Sequence, residues 1–461
     1  MRSRPRPDSI GFGHASSGAG VTTPRQYDLQ PGPANPKPNM KTTDYAAYVA
    51  LDWGDTQHAF ALQMAATSEV KTGQFDAGAE TTHEWLKQLG AHCAHRPIAL
   101  AVEAGCDALI AALLEHKWIV IYPVHSSMSA RFRKALVPSG AKDDVPDATV
   151  LLTLLLRHGE QLKPLQLDSA PTRELSALVL GRRGAVDRRS QVSNQLRSVL
   201  KGYFPQALKL VGDEMAGTLA LDFLDRWPDL ATLQKARAAT VRSFYLLHNV
   251  RRPELVEARL RQIAQAQPLT QDAATIVPAV LQTRMLVAVL RTLQRHIAQF
   301  DACIAEKFAS HAESAFFRQL PGAGPQLAPR LLVAFGDRRD RYPDASSLQK
   351  YAGLAPVKEK SGRQLWIHWR WNAPIFLRQT FVEWAGQTVV YCGWAKAFYL
   401  HQKQAGKGHH AIIRALAFKW IRILWRCWQR KEPYDEARYL EALRRRRSPF
   451  VAELDATPAQ S

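Results

Sequence analysis

The feature that most narrows the fold is the way the hydrophobic period changes along residues 45–125. AAYVALDWGD reads as a buried strand, and HAFALQMA, after a short turn, as its hairpin partner. TTHEWLKQLGAH switches to helical spacing, with Thr81 or Thr82 placed to cap it. RPIALAVEAG returns to strand, CDALIAALLEHK to amphipathic helix, and WIVIYPVH to strand again. Strands alternating with helices predict an α/β domain with a partly parallel sheet, assigned to residues 44–160.

After that point the strand signal stops. From 171 to about 310, apolar residues recur at three- and four-residue spacing with Arg and Gln between them. A helical, coiled-coil-like arm over 161–312 is expected, although clean heptads are too few for a strict coiled coil. A second helical unit is expected over 313–430, opened by LPGAGPQLAPRLLVAF, and a basic tail over 431–461 carrying RRRRSPF. Residues 1–43, rich in Pro, Gly, Ser and Arg, read as a disordered basic leader.

Charge points to a class of partner. Lys and Arg number 61 against 41 Asp and Glu, a formal charge of +20. That excess suits a polyanion, nucleic acid above all. The five cysteines are scattered without metal-ligand or CxxC spacing, which predicts free thiols in a reducing cytoplasm. No unbroken apolar run approaches the roughly 18 residues of a membrane span, so no membrane is expected. The N-terminus lacks the apolar segment of a signal peptide.

Against this charge, Asp143, Asp144 and Asp147 crowd ahead of an apolar helix, with Pro146 near its first turn. Asp144 and Asp147, three apart, share one helical face. Asp52 ends one predicted strand and Glu103 another. Four carboxylates gathered this way repel one another unless divalent cations such as Mg²⁺ or Mn²⁺ lie between them. Two such ions activate a nucleophile and stabilise a leaving oxygen in phosphodiester chemistry. Each residue also has a plainer reading: a turn cap for Asp52, an Arg partner for Glu103, a helix cap for Asp144 or Asp147.

The order Asp52, Glu103, Asp144, Asp147 resembles the DEDD site of RuvC-like, RNase H-fold nucleases. VALDWGDTQHAFAL, AVEAG and KDDVPDA resemble the N-terminal domain of the DEDD insertion-sequence transposases, the IS110 family or bridge recombinases. Where that family usually reads Lys-Thr-Asp-x-x-Asp-Ala, Asp143 replaces the threonine, so Asp144 and Asp147 match the motif; Pro146 is a further departure.

The C-terminal segments LPGAGPQLAPRLLVAFGD, SSLQKYAGLAPVKEKSG, FLRQTFVEWAG and WAKAFYLHQKQAGKGHHAIIRALAFKWIRILWRCW resemble the same family's transposase domain. By residue chemistry alone, Gly322 and Gly324 of PGAGP either let helix N–H groups face a phosphate or form an ordinary turn. Ser361 sits beside Gly362 among Lys358, Lys360, Arg363, His368 and Arg370, and by itself reads as a turn serine. The resemblance implies instead that it is the family's nucleophile. Lys360 stands where relatives often have a first serine, and WIHWRWNAPIF replaces a Gly-Ile-Thr-Lys-Arg-Gly-like stretch. Of Trp366, Trp369, Trp371, Trp384, Trp394, Trp420, Trp425 and Trp428, most are expected in the core rather than stacked on bases. His409 and His410 read as loop or phosphate contacts.

The resemblance implies a RuvC-like, RNase H-fold domain that binds Mg²⁺ (or Mn²⁺) through Asp52, Glu103, Asp144 and Asp147. It implies transposition by cutting and rejoining donor and target double-stranded DNA, guided by a structured non-coding bridge RNA, in a homo-oligomer, a dimer or tetramer, of the bacterial cytoplasm and nucleoid. Lys142, Gly322, Gly324, Lys360, Arg363, Arg370 and Lys407 are the candidate nucleic-acid contacts. Two alternatives stay open: a RuvC-like structure-specific nuclease using metal-activated water, and an inactive nucleic-acid-binding relative.

Overall fold

The computed structural model describes residues 45–103, 105, 107–136, 144–362, 364–368, 370 and 373–451, with backbone alone at 107, 135–136 and 144–146. The leader, Lys142, Asp143, Arg363, Trp369, Trp371 and the last ten residues lie outside them.

The first domain is a five-stranded sheet in the order β3-β2-β1-β4-β5. β1 (Ala47–Trp53) is central: antiparallel to β2 (Gln57–Met64), which pairs antiparallel with β3 (Val70–Asp76), and parallel to β4 (Ile98–Glu103), which runs parallel to β5 (Ile119–Val124). The alternation of side chains sorts the two faces by size. Val49, Leu51, Leu100 and Val102 point into a cluster with Leu86 and Leu89 of α1 (Ala79–His92) and Leu109 and Leu113 of α2 (Asp107–Leu114). The opposite face offers Ala50, Ala59, Ala61, Ala99 and Ala101. These small residues let α4 (Asp144–His158) lie close over β1 and β2, burying Ala148, Leu151, Leu152 and Leu155. α3 (Ser126–Leu136) precedes α4 and packs on it.

One local expectation is corrected, and one strand escaped the sequence reading. The N-cap of α1 is Gly78, not Thr81 or Thr82. Both threonines sit inside the first turn, their hydroxyls donating back to the Gly78 carbonyl. β3 carries no apolar run (VKTGQFD) because it is the sheet's exposed edge.

The arm is a pair of long antiparallel helices, α5 (Ala170–Tyr203) and α11 (Ala273–Ser310). Thr172 meets His311, Arg182 meets Asp301, and Tyr203 meets Thr283, so one helix ascends as the other descends. At its far end five short helices, α6 (Gln206–Val211), α7 (Thr218–Arg226), α8 (Leu230–Gln234), α9 (Ala238–Leu247) and α10 (Pro253–Gln265), form a head around Phe223, Trp227, Phe244 and Tyr245. Although Arg284 and Arg291 break any continuous run, α11 is long and apolar enough, by length and composition, to cross a membrane. Its inner face, with Leu286, Val287 and Leu290, is buried in the head's core.

The last unit comprises α12 (Ser314–Arg318), α13 (Gly324–Phe335), α14 (Ala345–Tyr351), the two-stranded β6 (Val357–Ser361) and β7 (Gln364–His368), then α15 (Ile375–Tyr391), α16 (Gly393–Gln404), α17 (His409–Arg430) and α18 (Glu436–Arg445). Trp384, Trp394, Trp420 and Trp428 fill its core, as expected of most of the tryptophans. The basic end also contributes to packing: Leu443, Phe450 and Val451 are buried in the same core.

A polar seam ties this unit to the exit of the first. Asp168 accepts from Arg341, and Asp337 accepts from Thr172 and from the backbone N–H of Ser169. Gly336 lies between them in the left-handed region (φ 74°), where a Cβ would stand 2.5 Å from the Asp168 carboxylate. Burial pushes the Asp168 carboxyl above the ordinary range, with Arg341 opposing.

Candidate active site

Parallel pairing of β1 with β4 runs to Leu51 opposite Val102, so Asp52 and Glu103 are the next residues of neighbouring strands at their carboxyl ends. Both are half-buried. The backbone around Glu103 is fixed from β1, because Trp53 Nε1 donates to its carbonyl at 3.1 Å. Gly105 (φ 141°) then passes over the Trp53 ring, where a Cβ would sit 3.1 Å from it.

α4 brings the second pair. Asp144 opens the helix, one turn before Asp147, and its side chain lies outside the described residues. Asp147 precedes the buried Ala148 on the helix that crosses β1.

A helix that sequence reasoning passed over links the two sets. Ser129 Oγ of α3 donates to Glu103 Oε2 at 3.1 Å, and Arg133 Nη1, one turn on, donates to Asp147 Oδ2 at 2.6 Å. Residues four apart on a helix stand about 5–6 Å from each other, so Glu103 and Asp147 are held within reach of one patch of α3. The signal was present in SSMSARFRKAL as an i,i+4 Ser–Arg pair, but nothing local told which carboxylates it would meet.

The donor set is chemically suited to a hard divalent cation, being carboxylate oxygen throughout. Among the described residues no three acidic, His or Cys side chains close into a complete cage. Arg133 supplies part of the positive charge that carboxylates in this neighbourhood require.

Ser361 stands apart, at the end of β6 and paired with Gln364 across a tight turn. Gly362 in that turn is left-handed (φ 58°) with open space where a Cβ would be. The segment read from sequence as a flexible turn is therefore a β-hairpin, exposed along almost its whole length, with Lys358 and Lys360 in solvent. His368 Nε2 and Glu359 Oε2 are 2.7 Å apart across it. Arg370 is half-buried, its carbonyl accepting from Arg378.

The glycines of PGAGP divide. Gly322 (φ 68°) packs on α15, where a Cβ would meet the Gln387 backbone at 3.1 Å, so close helix packing accounts for it. Gly324 (φ 53°) opens α13 facing free space. Lys407 is exposed beside Gly406, and its ammonium donates to Gln402. His409 Nδ1 is 2.9 Å from the Tyr399 hydroxyl.

Known proteins carry the same two halves in the same order. Residues 49–205 match a transposase family described as DEDD transposases of the IS110 type, and residues 314–400 match the family described as transposase IS116/IS110/IS902. The mini-circle protein for IS117 of Streptomyces coelicolor, whose name assigns it a transposase role, is 28% identical over 85% of this chain and 96% of its own length. The 43.6 kDa protein of insertion element IS110 from the same organism is 25% identical over 71% of this chain and 77% of its own. The 42 kDa protein of insertion element IS900 from Mycobacterium paratuberculosis is 28% identical over 62% and 70%. With one match laid on the carboxylate domain and another on the serine-bearing unit, the chain belongs to the IS110 family of insertion-sequence transposases, enzymes that cut and rejoin DNA.

Proposed function

We propose that this transposase joins a DEDD site to a serine nucleophile to move its insertion sequence under the guidance of a structured non-coding RNA. The observation that carries the reading is the pairing of Asp52 and Glu103 at the carboxyl ends of adjacent central strands, with α4 laid across them and Asp147 tied through α3 to the same neighbourhood. An antiparallel β1-β2-β3 meander continued by parallel β4 and β5 is the strand plan of an RNase H-like, RuvC-like domain, which supports that assignment.

Asp52, Glu103, Asp144 and Asp147 would hold Mg²⁺ or Mn²⁺. A divalent ion there supplies electrostatic stabilisation of the charge that builds on a phosphodiester as its bonds exchange. Ser361 Oγ attacks the phosphorus as the hydroxyl proton leaves. A Ser–O–P bond forms, the P–O bond to the departing DNA strand breaks, and that strand's oxygen leaves with a proton. Attack by the hydroxyl of the incoming strand reverses these steps and restores the serine. Lys358 and Lys360 on the hairpin supply positive charge for the backbone. Since Ser361 lies on a solvent-exposed hairpin, it is free to meet carboxylates of another subunit in a dimer or tetramer.

The deciding experiment incubates the full chain with the RNA transcribed beside its gene, a duplex spanning the element's end, and Mg²⁺. Wild type should cleave and leave a covalent protein–DNA adduct that survives denaturation; Ser361→Ala should do neither. Cleavage that persists in Ser361→Ala would replace this reading with a water-using nuclease.

A further inference from the structure

We propose that Trp366 is a stacking platform for a base beside the phosphodiester that Ser361 attacks. The proposal rests on the reading of Ser361 as the nucleophile and adds the residue that places the strand against it.

The register of the hairpin carries the argument. Ser361 pairs with Gln364, Lys360 with Leu365, and Glu359 with Trp366. Since side chains alternate along each strand, Glu359, Ser361, Gln364 and Trp366 share one face, and Lys358, Lys360, Leu365 and Ile367 share the other. Trp366 is thus the diagonal same-face neighbour of Ser361, at about 7–8 Å. Bases on one strand rise about 3.4 Å per step, so an indole at that distance lies about two steps from the atom under attack.

The indole is 45% exposed, in a unit that buries Trp384, Trp394, Trp420 and Trp428 almost completely. Leaving one such ring in solvent forgoes the burial the other four obtain, and base stacking on a strand is the return that suits this position. The hairpin suits a polyanion: Lys358 and Lys360 are exposed on its other face, and Glu359, directly across from Trp366, is held by His368, whose Nε2 is 2.7 Å from its Oε2. Leu365 and Ile367, 57% and 65% exposed on that other face, pair with Lys360 and Lys358 across the strands as an apolar edge. A hairpin with an aromatic ring on one face and aliphatic side chains paired with lysines on the other matches an unpaired strand better than an intact duplex surface. The ligand class is a single-stranded or locally opened stretch of DNA at the cut.

The test uses the full chain with the RNA and a duplex across the element's end, carrying 2-aminopurine in turn at each position flanking the cleaved phosphate. In the Ser361→Ala chain, which leaves the strand intact, binding should change the fluorescence at one or two of these positions. Adding Trp366→Ala should abolish that change, whereas Trp366→Phe should keep it. With Ser361 present, Trp366→Ala should slow cleavage by about 5- to 150-fold and Trp366→Phe should recover most of the rate. Thermal stability should be unaffected, as the ring is not in the core. Unchanged fluorescence in the Trp366→Ala background, or cleavage at the wild-type rate, overturns the proposal. So does a Trp366→Ala chain that loses its oligomeric mass in light scattering with the fluorescence response intact, since the ring would then face protein. Failure of the serine reading is seen separately, as cleavage by Ser361→Ala; the fluorescence is then read in the Asp52→Asn chain.

Discussion

Asp52 and Glu103 lie at the carboxyl ends of strands whose other residues are mostly buried, on both faces, while Ser361 closes a strand whose residues stand almost wholly in solvent. The carboxylates are placed by the core itself: β1 and β4 cannot shift in register without moving Val49, Leu51, Leu100 and Val102 out of their cluster. The serine is placed by a two-stranded hairpin with little to pack against, and such ribbons are marginal alone. On the proposed mechanism, the carboxylate half is held by this chain's core and the serine half is presented on an exposed hairpin. An enzyme that must let go of one DNA and take up another has reason to rest its proposed nucleophile on the less supported side of that division.

The largest effect expected from this contrast is complementation. Asp52→Asn should lower cleavage by more than about 10³-fold, because on the proposed mechanism losing one of the metal-holding carboxylates removes several kcal/mol of transition-state stabilisation. Ser361→Ala should be as inactive. Neither change disturbs a core contact, so both chains should fold, and mixing them should restore part of the activity if the hairpin of one subunit serves the carboxylates of another. Two inactive variants whose mixture stays inactive, in a mixed oligomer verified by mass, would place both halves in a single chain and break the comparison.

Much of the rigid half was legible in the sequence. Apolar runs ending in an acid marked Asp52 and Glu103, because a strand that enters a core and leaves it at a carboxylate writes both facts into consecutive residues. What escaped was whatever depends on contacts distant in sequence or on weak local signals. β3 was missed since an edge strand needs no apolar face inward on each side. Ser129 and Arg133 were missed since their partners, Glu103 and Asp147, are 26 and 14 residues away. The hairpin read as a turn because its polar and aromatic residues alternate with no buried face to set a pattern. The head of the arm read simply as more helix, its separate core around Phe223 and Tyr245 being visible only once the short helices fold back.

A stability measurement sharpens the same contrast at smaller scale. Trp420 is fully buried, its Nε1 donating to Thr388 Oγ1 at 2.9 Å, with the rings of Trp384 and Trp394 each 4.7 Å away. Trp420→Ala should cost about 3–5 kcal/mol in denaturant unfolding. Leu365→Ala and Ile367→Ala on the hairpin should each stay within about 0.5 kcal/mol of wild type. A loss of several kcal/mol from either hairpin variant would mean that β7 is packed in the free protein, and the serine would no longer count as unsupported.

The smallest predicted effect concerns pH and belongs to the rigid half. His58 lies opposite Trp53 in the β1–β2 pair, buried, and its Nδ1 accepts the Gly54 N–H at 3.3 Å. Burial lowers its pKa below the ordinary value, so the folded protein keeps the ring neutral where the unfolded chain takes up a proton, near pH of about 6.5. The unfolded state then binds more protons, and folding stability falls as pH drops through that range. Above it His58 contributes no slope. His58→Gln retains an acceptor for Gly54 but cannot titrate, so the denaturation midpoint of the first domain should fall less steeply between pH of about 7.5 and 5 than in wild type. Equal slopes for the two proteins would mean that the imidazole is charged in the fold. The turn beside Asp52 would then be more open to water than its burial implies, and the carboxylate half less rigid than the comparison holds.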